Sequence, residues 1–295
     1  MNIKILVCYH KPSFIMTNEV LRPILVGSKQ AKYSTIAKLE QMCSRQNSTL
    51  LKDNVGDDNI SELNPYFCEL TAMYWAWKNL DADYYGLFHY RRVFDFSGRA
   101  RKKIHIKNQT MSNVIKYFHL EPKKIQKIIS NFDIIKPLGI DINLYEDYAN
   151  FHYKENLDLC IEYILKKYPE MQNSINVIFL DKTYKASFCN MFIMRKDLYF
   201  EYCTWLFDIL FEVKQYIPYE TYDDYQKRVF GFLAERLFNV WIEYKRENIK
   251  LKIKNIQLAN LLENVQKKPI FGWKIDNDIK KFYLFGIRII KVNIS

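Results

Sequence analysis

"PYFCELTAMYWAWKNLDADYYGLFHYRR", residues 65–92, sets an amphipathic stretch directly before a short apolar run. Asn64 is a good N-cap and Pro65 suits the first helical position, so a helix is predicted from there to about Asn79. "DYYGLFHY" is too short and too apolar for a surface helix and reads as a buried strand. That strand ends in His89, Tyr90, Arg91 and Arg92, where a chain turns toward solvent or toward a ligand.

Upstream, "IKILVCY", residues 3–9, reads as a first strand, and "DNVGDDNISELNP", residues 53–65, is turn chemistry running into the helix. Downstream, "FDIIKPLGI" (132–140) is a strand and residues 145–171 have helical apolar spacing. Residues 186–216 switch from strand to long helix, and 222–248 form a second long helix. Strands interleaved with helices predict an α/β fold, a mixed central sheet flanked by helices. The expected organisation is one large domain, residues 1–245, and a C-terminal extension, 246–295, packed on it and possessing a stretch, "KKFYLFGIRIIK", able to face a membrane or to form a final strand.

The composition suits a dense core: 49% of the 295 residues are hydrophobic and 16% aromatic. Six cysteines stand without any C-x-x-C pair, which points to a reducing cytoplasm and gives no zinc pattern. The first apolar run is too short for a signal peptide, and no run of about 18 apolar residues occurs. A net charge of +11 favours polyanions: nucleic acid, anionic lipid or phosphate-bearing substrates. Runs such as Arg99 to Lys103 and Lys123 to Lys127 read as a solvated basic face.

Three groups of residues could carry chemistry. Glu69 shares a helix face with Ala72, Met73 and Ala76, so it needs a buried partner or a task. Arg228, Gly231, Phe232, Glu235, Asn239 and Ile242 fall on one side of the last long helix, a polar stripe beside a glycine that permits close approach. The His89 to Arg92 quartet sits at the carboxyl end of a strand, where open α/β sheets bind ligands. Alternation along a strand directs one arginine to a ligand and the other to a carboxylate such as Glu69 or Glu235. A structural ion pair is the plainer reading of both. Asp81 and Asp83 imitate a metal-binding D-x-D, but they precede the strand and so belong to the opposite end of the sheet.

Residues 57–79, with "GLFHYRR", "CNMFIM", "YCTWLFDIL" and "RVFGFLAERLFNVW", together resemble a bacterial family of capsule, O-antigen and exopolysaccharide loci, formerly a domain of unknown function. The blocks keep family order over roughly residues 1 to 245. Members have been assigned as galactofuranosyltransferases. The resemblance therefore implies a GT-A-like nucleotide-sugar fold and transfer of galactofuranose from UDP-galactofuranose to a glycan acceptor. Its motifs fall on His10, Lys11, Asp58, Asn59, Ser61, Asn64, Glu69, Tyr74, Trp75, His89, Tyr90, Arg91, Arg92, Asn190, Met191, Arg228, Gly231, Glu235, Arg236 and Asn239. Ala234 stands where members commonly have Ser.

On this reading Glu235 is the first candidate for the base of an inverting transfer, Glu69 the second and His89 a substitute. Arg91 and Arg92 hold the diphosphate in place of a metal, with no cofactor, and the loop at Asp58 and Asn59 recognises nucleotide or sugar. The acceptor is a lipid-linked oligosaccharide at the inner membrane face, reached by a cytoplasmic, peripherally bound protein attracted to anionic lipid. Another UDP-hexose, such as UDP-galactopyranose, is the alternative donor. A nucleic-acid-binding module or a non-catalytic scaffold is the alternative class; no nucleic-acid signature occurs, so no such partner is expected. Oligomeric state is not legible.

Overall fold

A computed structural model of the chain describes residues 1–180, 183–263, 271–276, 279–284 and 287–293. The first third alternates β1 (Ile3–Tyr9), β2 (Leu21–Leu25), α1 (Tyr33–Ser44), β3 (Leu51–Lys52), α2 (Asn64–Phe67), α3 (Leu70–Asn79), β4 (Tyr84–His89) and β5 (Arg92–Phe94). Then come β6 (Lys103–His105), α4 (Met111–Tyr117), α5 (Pro122–Ile129), β7 (Ile134–Pro137), β8 (Ile140–Ile142), α6 (Leu144–Phe151), α7 (Lys154–Lys167) and α8 (Gln172–Ile175). The last third holds β9 (Tyr184–Ala186), β10 (Phe192–Arg195), α9 (Lys196–Val213), α10 (Val229–Asn248), β11 (Ile253–Ile256) and β12 (Leu258–Leu262). The strands β13 (Phe271–Asp276), β14 (Ile279–Leu284) and β15 (Ile287–Asn293) form a separate antiparallel sheet.

The main sheet runs β11-β7-β10-β4-β1-β2-β3. Neighbours are parallel throughout except at β10, which is antiparallel to both β4 and β7. Side-chain alternation explains why helices cover both faces. In β1, Ile3, Ile5, Val7 and Tyr9 enter one core with Leu39, Val114, Ile125 and Ile129 of α1, α4 and α5. Leu6 and Cys8 enter the other, with Met73, Leu206, Leu210, Leu233 and Leu237 of α3, α9 and α10. Such continuous apolar strands are what a sheet buried on both faces demands.

Gly86 sits where the central strands leave no room for a side chain. A Cβ built there would lie 2.8 Å from Ile5 Cγ1 and 2.9 Å from Ile193 Cγ1, the flanking residues on β1 and β10. Gly86→Ala should therefore overpack the central strands and lower unfolding free energy by about 1–3 kcal/mol. Chemical denaturation measures this; a wild-type midpoint would contradict it.

Two expectations are revised. The helix predicted from Pro65 is broken: Cys68 has φ 52° and ψ −131°, so α2 stops at Phe67 and α3 starts at Leu70. Asn64 lies in the first turn, and its side chain supports the break rather than an N-terminus. The boundary drawn at residue 245 falls within α10, and residues 246–263 contribute β11 and β12 to the main sheet, β11 against β7 and β12 against β5 and β6. Within "KKFYLFGIRIIK", residues 285–286 lie outside the described residues; the rest is in β14 and β15.

Candidate active site

His89 is the last residue of β4 and pairs directly with Arg92, the first of β5, so Tyr90 and Arg91 form the tip of a tight hairpin. Neighbouring strands pin this tip from both sides: Tyr90 N–H donates to Cys8 O (3.1 Å), and Leu261 N–H donates to Arg91 O (2.9 Å). The Tyr90 ring is buried against Tyr9 and the edge of His10. Because Arg91 belongs to the turn and not to a strand, alternation no longer separates the two arginines, and both line one cavity. Among the described residues neither arginine pairs with Glu69 or Glu235, the partners expected for one of the two: Glu69 faces His89 and Asn190, and Glu235 holds Arg236.

The cavity, about 470 Å³, opens at the carboxyl ends of β1 and β4. Its wall carries five cationic side chains, Lys11, Arg91, Arg92, Lys227 and Arg228, against the carboxylates Glu69 and Asp224. Lys11 Nζ and the Arg91 guanidinium stand 5.8 and 5.5 Å from the centre of the Tyr90 ring, which gathers two cations at one point. Burial first, then Lys11, Arg91 and Arg228, holds His10 below the ordinary imidazole range. A cluster of cations with few counter-charges is a site for a polyanion such as a diphosphate.

The opposite wall depends on the break at Cys68. Asn64 Nδ2 donates to Cys68 O (2.8 Å) and Thr71 Oγ1 (3.3 Å), and Thr71 Oγ1 donates to Asp53 Oδ2 (2.6 Å). Fully buried Asp53 also accepts from Gly27 N–H, Ser28 N–H, Ser28 Oγ and Ser61 Oγ, so its charge is distributed over five donors. Gly231 on α10 lies across from the break, where a Cβ would approach Cys68 Sγ to 3.3 Å. This packing turns Glu69, just ahead of α3, toward the centre of the site.

The two candidate carboxylates meet at a second turn, Cys189–Asn190, both residues having positive φ (80° and 47°). Asn190 Nδ2 donates to Glu69 Oε1 (2.9 Å) and Gly231 O (3.0 Å); Cys189 N–H donates to Glu235 Oε1 (3.0 Å). Cys189 O lies 2.8 Å from His89 Nε2. A carbonyl only accepts, so Nε2 carries a proton. Glu235 Oε2 is 3.1 Å from Arg236, which also pairs with Asp147 at 2.6 Å. Burial, reinforced by Glu69, outweighs Arg236, the Cys189 amide and Arg92 and pushes the Glu235 carboxyl up to about 7. At neutral pH this group both takes and releases a proton.

The stripe read along the last helix is present: Gly231, Glu235 and Asn239 successively meet Asn190, Cys189 and Ser187. His10, Lys11, Asn64, Glu69, His89, Tyr90, Arg91, Arg92 and Arg228 line the basic cavity. Glu235 and Arg236 line an adjoining one, and Asn190 joins the two carboxylates. Other motif residues serve the scaffold. Asp58 accepts from Tyr74 OH and Asn79 Nδ2, Asn59 folds its own loop, Ser61 caps Asp53, and the Trp75 indole donates to Val55 O. Met191 is core, and Asn239 clamps the Ser187 backbone. None of these six lines either cavity.

Sequence reading missed Cys68, Asp147, Asp224 and Lys227 as wall residues, the Cys189 amide as a partner of Glu235, and Asp53 as the support of the break at Cys68. Positive φ at a cysteine has no sequence signal; residues 222–228, expected as the start of the last long helix, instead form a turn in which Asp223 accepts from the Tyr225 and Gln226 amides, and α10 begins at Val229. Asp81 pairs with Lys196, and Asp83 accepts from Asn2 N–H beside the start of β1, at the far end of the sheet. Among the described residues, no group of three or more His, Cys, Asp or Glu side chains is arranged to hold a metal ion.

A family model described as "Domain of unknown function (DUF4422)" matches residues 4–247. The apo structure of a bifunctional glycosyltransferase, WbbM, superposes with a TM-score of 0.76 at 29% identity, covering 93% of this chain and 48% of that one. The chain thus spans about half the length of that protein, and shares its mixed α/β fold with a mostly parallel central sheet. No curated protein matches.

Proposed function

From a chain that belongs to the DUF4422 family and is similar over nearly its whole length to part of a bifunctional glycosyltransferase, we propose a glycosyltransferase using a nucleotide-sugar donor. The observation that carries this reading is a basic cavity at the strand ends beside a carboxyl group poised near neutrality.

In the proposed reaction Lys11, Arg91, Arg92 and Arg228 hold the diphosphate of a UDP-sugar. Glu235 accepts the proton of an acceptor hydroxyl as that oxygen bonds to the anomeric carbon. The bond from that carbon to the diphosphate breaks, and UDP leaves with the electron pair. Cations neutralise the charge growing on the leaving phosphate, the part a metal plays elsewhere. Glu69 is the second candidate base and His89 the third. Galactofuranose is the proposed sugar, galactopyranose the alternative, and a lipid-linked glycan of cell-surface polysaccharide the proposed acceptor.

Among the described residues no helix is long and apolar enough to cross a membrane. Access to a lipid-linked acceptor is therefore proposed through peripheral attraction of exposed cations, such as Arg99, Lys102 and Lys103, to anionic lipid on the cytoplasmic face.

Mass spectrometry of products tests the reading: purified protein, a galactose-terminated oligosaccharide and UDP-galactopyranose, with and without the mutase that makes UDP-galactofuranose, each with and without EDTA. Product that needs the mutase and survives EDTA is expected. Product without mutase would replace the donor, and loss in EDTA would end the claim that arginines substitute for a metal.

A further inference from the structure

Beside the basic cavity lies a second one, about 390 Å³. The same stretch of chain, residues 224–236, contributes to both linings. Asp224, Lys227 and Arg228 face the first, whereas Tyr225, Phe232, Glu235 and Arg236 face the second. The Arg228 guanidinium stands 5.2 Å from the centre of the Phe232 ring, so one cation of the first cavity rests on an aromatic of the second.

The second cavity has two unlike sides. One is an aromatic panel: His152 stacks on Phe232 (4.1 Å, 24°) and on Tyr225 (5.8 Å, 19°), and Phe151 adjoins them. Burial holds His152 below the ordinary imidazole range, which favours its neutral form, and Gln226 Oε1 at 3.0 Å from Nδ1 orients its ring in the panel. Tyr225 and Phe151 are 53% and 63% exposed, an arrangement that leaves apolar ring surface without a partner. The other side is the Asp147–Arg236–Glu235 chain of ion pairs. Arg236 is 4% exposed, yet its Nε–H finds no acceptor among the described residues. A buried donor left in this state costs free energy until something fills it.

Ligand classes can be sorted by chemistry. A hydrocarbon would cover the rings but strip water from the ion pairs and leave the Arg236 donor unmet. An anion would meet two carboxylates beside a single arginine. A neutral ring with one apolar face and a rim of hydroxyls satisfies both sides. Its C–H face lies on the aromatics, and its hydroxyls accept from Arg236 and donate to Asp147 and Glu235. The volume falls within the range of small-ligand sites, roughly 300–1,000 Å³.

We propose that this cavity is the acceptor subsite, taking the terminal sugar ring of the glycan with its apolar face on Tyr225 and Phe232 and its reacting hydroxyl at Glu235. The inference rests on the transferase reading. It adds that acceptor recognition is made by Asp147, Phe151, His152, Tyr225, Phe232 and Arg236, none of which lines the cavity that holds the donor.

Saturation-transfer NMR with a galactose-terminated disaccharide tests this in the presence of UDP, comparing wild type with Tyr225→Ala and Phe151→Ala, whose exposure makes misfolding a minor concern. Ring C–H signals are expected in wild type and should fall at least fivefold in both variants, while calorimetry gives the UDP dissociation constant within twofold of wild type. In turnover, the acceptor KM should rise on the order of tenfold with kcat little changed. Undiminished saturation transfer in both variants, or none in wild type that binds UDP, would overturn the subsite. Failure of wild type to bind UDP would instead strike the transferase reading, and disaccharide contact that still depends on Tyr225 would leave the glycan site standing.

Discussion

Glu235→Gln is expected to lower the rate of sugar transfer by on the order of 10³ while leaving the UDP dissociation constant within twofold. The amide keeps the shape of the side chain and an oxygen for the Cys189 amide hydrogen, yet it cannot accept a proton from an attacking hydroxyl. Donor binding should persist because Glu235 lies on the second cavity and the cations lie on the first. Single-turnover kinetics with saturating donor measure the effect. A loss below tenfold would transfer the role of base to Glu69, whose Gln variant would then be the deficient one.

The pH dependence follows from the same group. Glu235 is raised from 4.5 to about 7 by burial and Glu69, against Arg236, the Cys189 amide and Arg92. Below that value the carboxyl is protonated and cannot act as base. Log kcat should accordingly climb with unit slope up to about pH 7 and then level. The sign for stability is opposite. A folded-state pKa above the unfolded one contributes stability that is complete below about 4.5 and is lost as pH rises through about 7. The group is thus least comfortable in the form the reaction uses, and an acidic limb that persists in Glu235→Gln would assign it to another residue.

Replacing Arg91 and Arg92 together by Ala is expected to weaken UDP binding by on the order of 10²–10⁴, since each charged hydrogen bond contributes roughly 1.5–3 kcal/mol. Lys at both positions should recover only part of this: charge returns, the planar two-pronged donor does not. Calorimetry at two salt concentrations measures both effects, and the wild-type affinity should fall as salt rises. Affinity unchanged in the double Ala variant would mean that the hairpin tip does not hold the diphosphate. Tyr90 is left in place because its ring is the buried wedge that positions the tip.

Much of the layout is local and was legible. β1 and β4 read as buried strands because apolar residues fill both faces, and α10 read as a helix with a polar stripe because its spacing is helical. The position of Asp81 and Asp83 at the start of β4 followed from chain order, since a residue before a strand lies at its amino end. The site was legible only as a set of residue types. Asp58, Asn59, Ser61 and Trp75 carry the same kinds of groups as Arg91 or Glu69, yet they brace the loop and helix behind the cavity.

The alternation of strands and helices, the concentration of cations at the end of β4 and the face of α10 that carries Glu235 are properties of short stretches of chain, and the amino-acid order alone was enough to place them. Tertiary structure alone decided which groups touch. Left-handed backbone at Cys68 and Cys189–Asn190 turns Glu69 and the Cys189 amide toward α10; residues 235 and 69 become neighbours across 166 positions of chain. It is that burial and that neighbour which move the Glu235 carboxyl to about 7, and no periodicity in the chain encodes either.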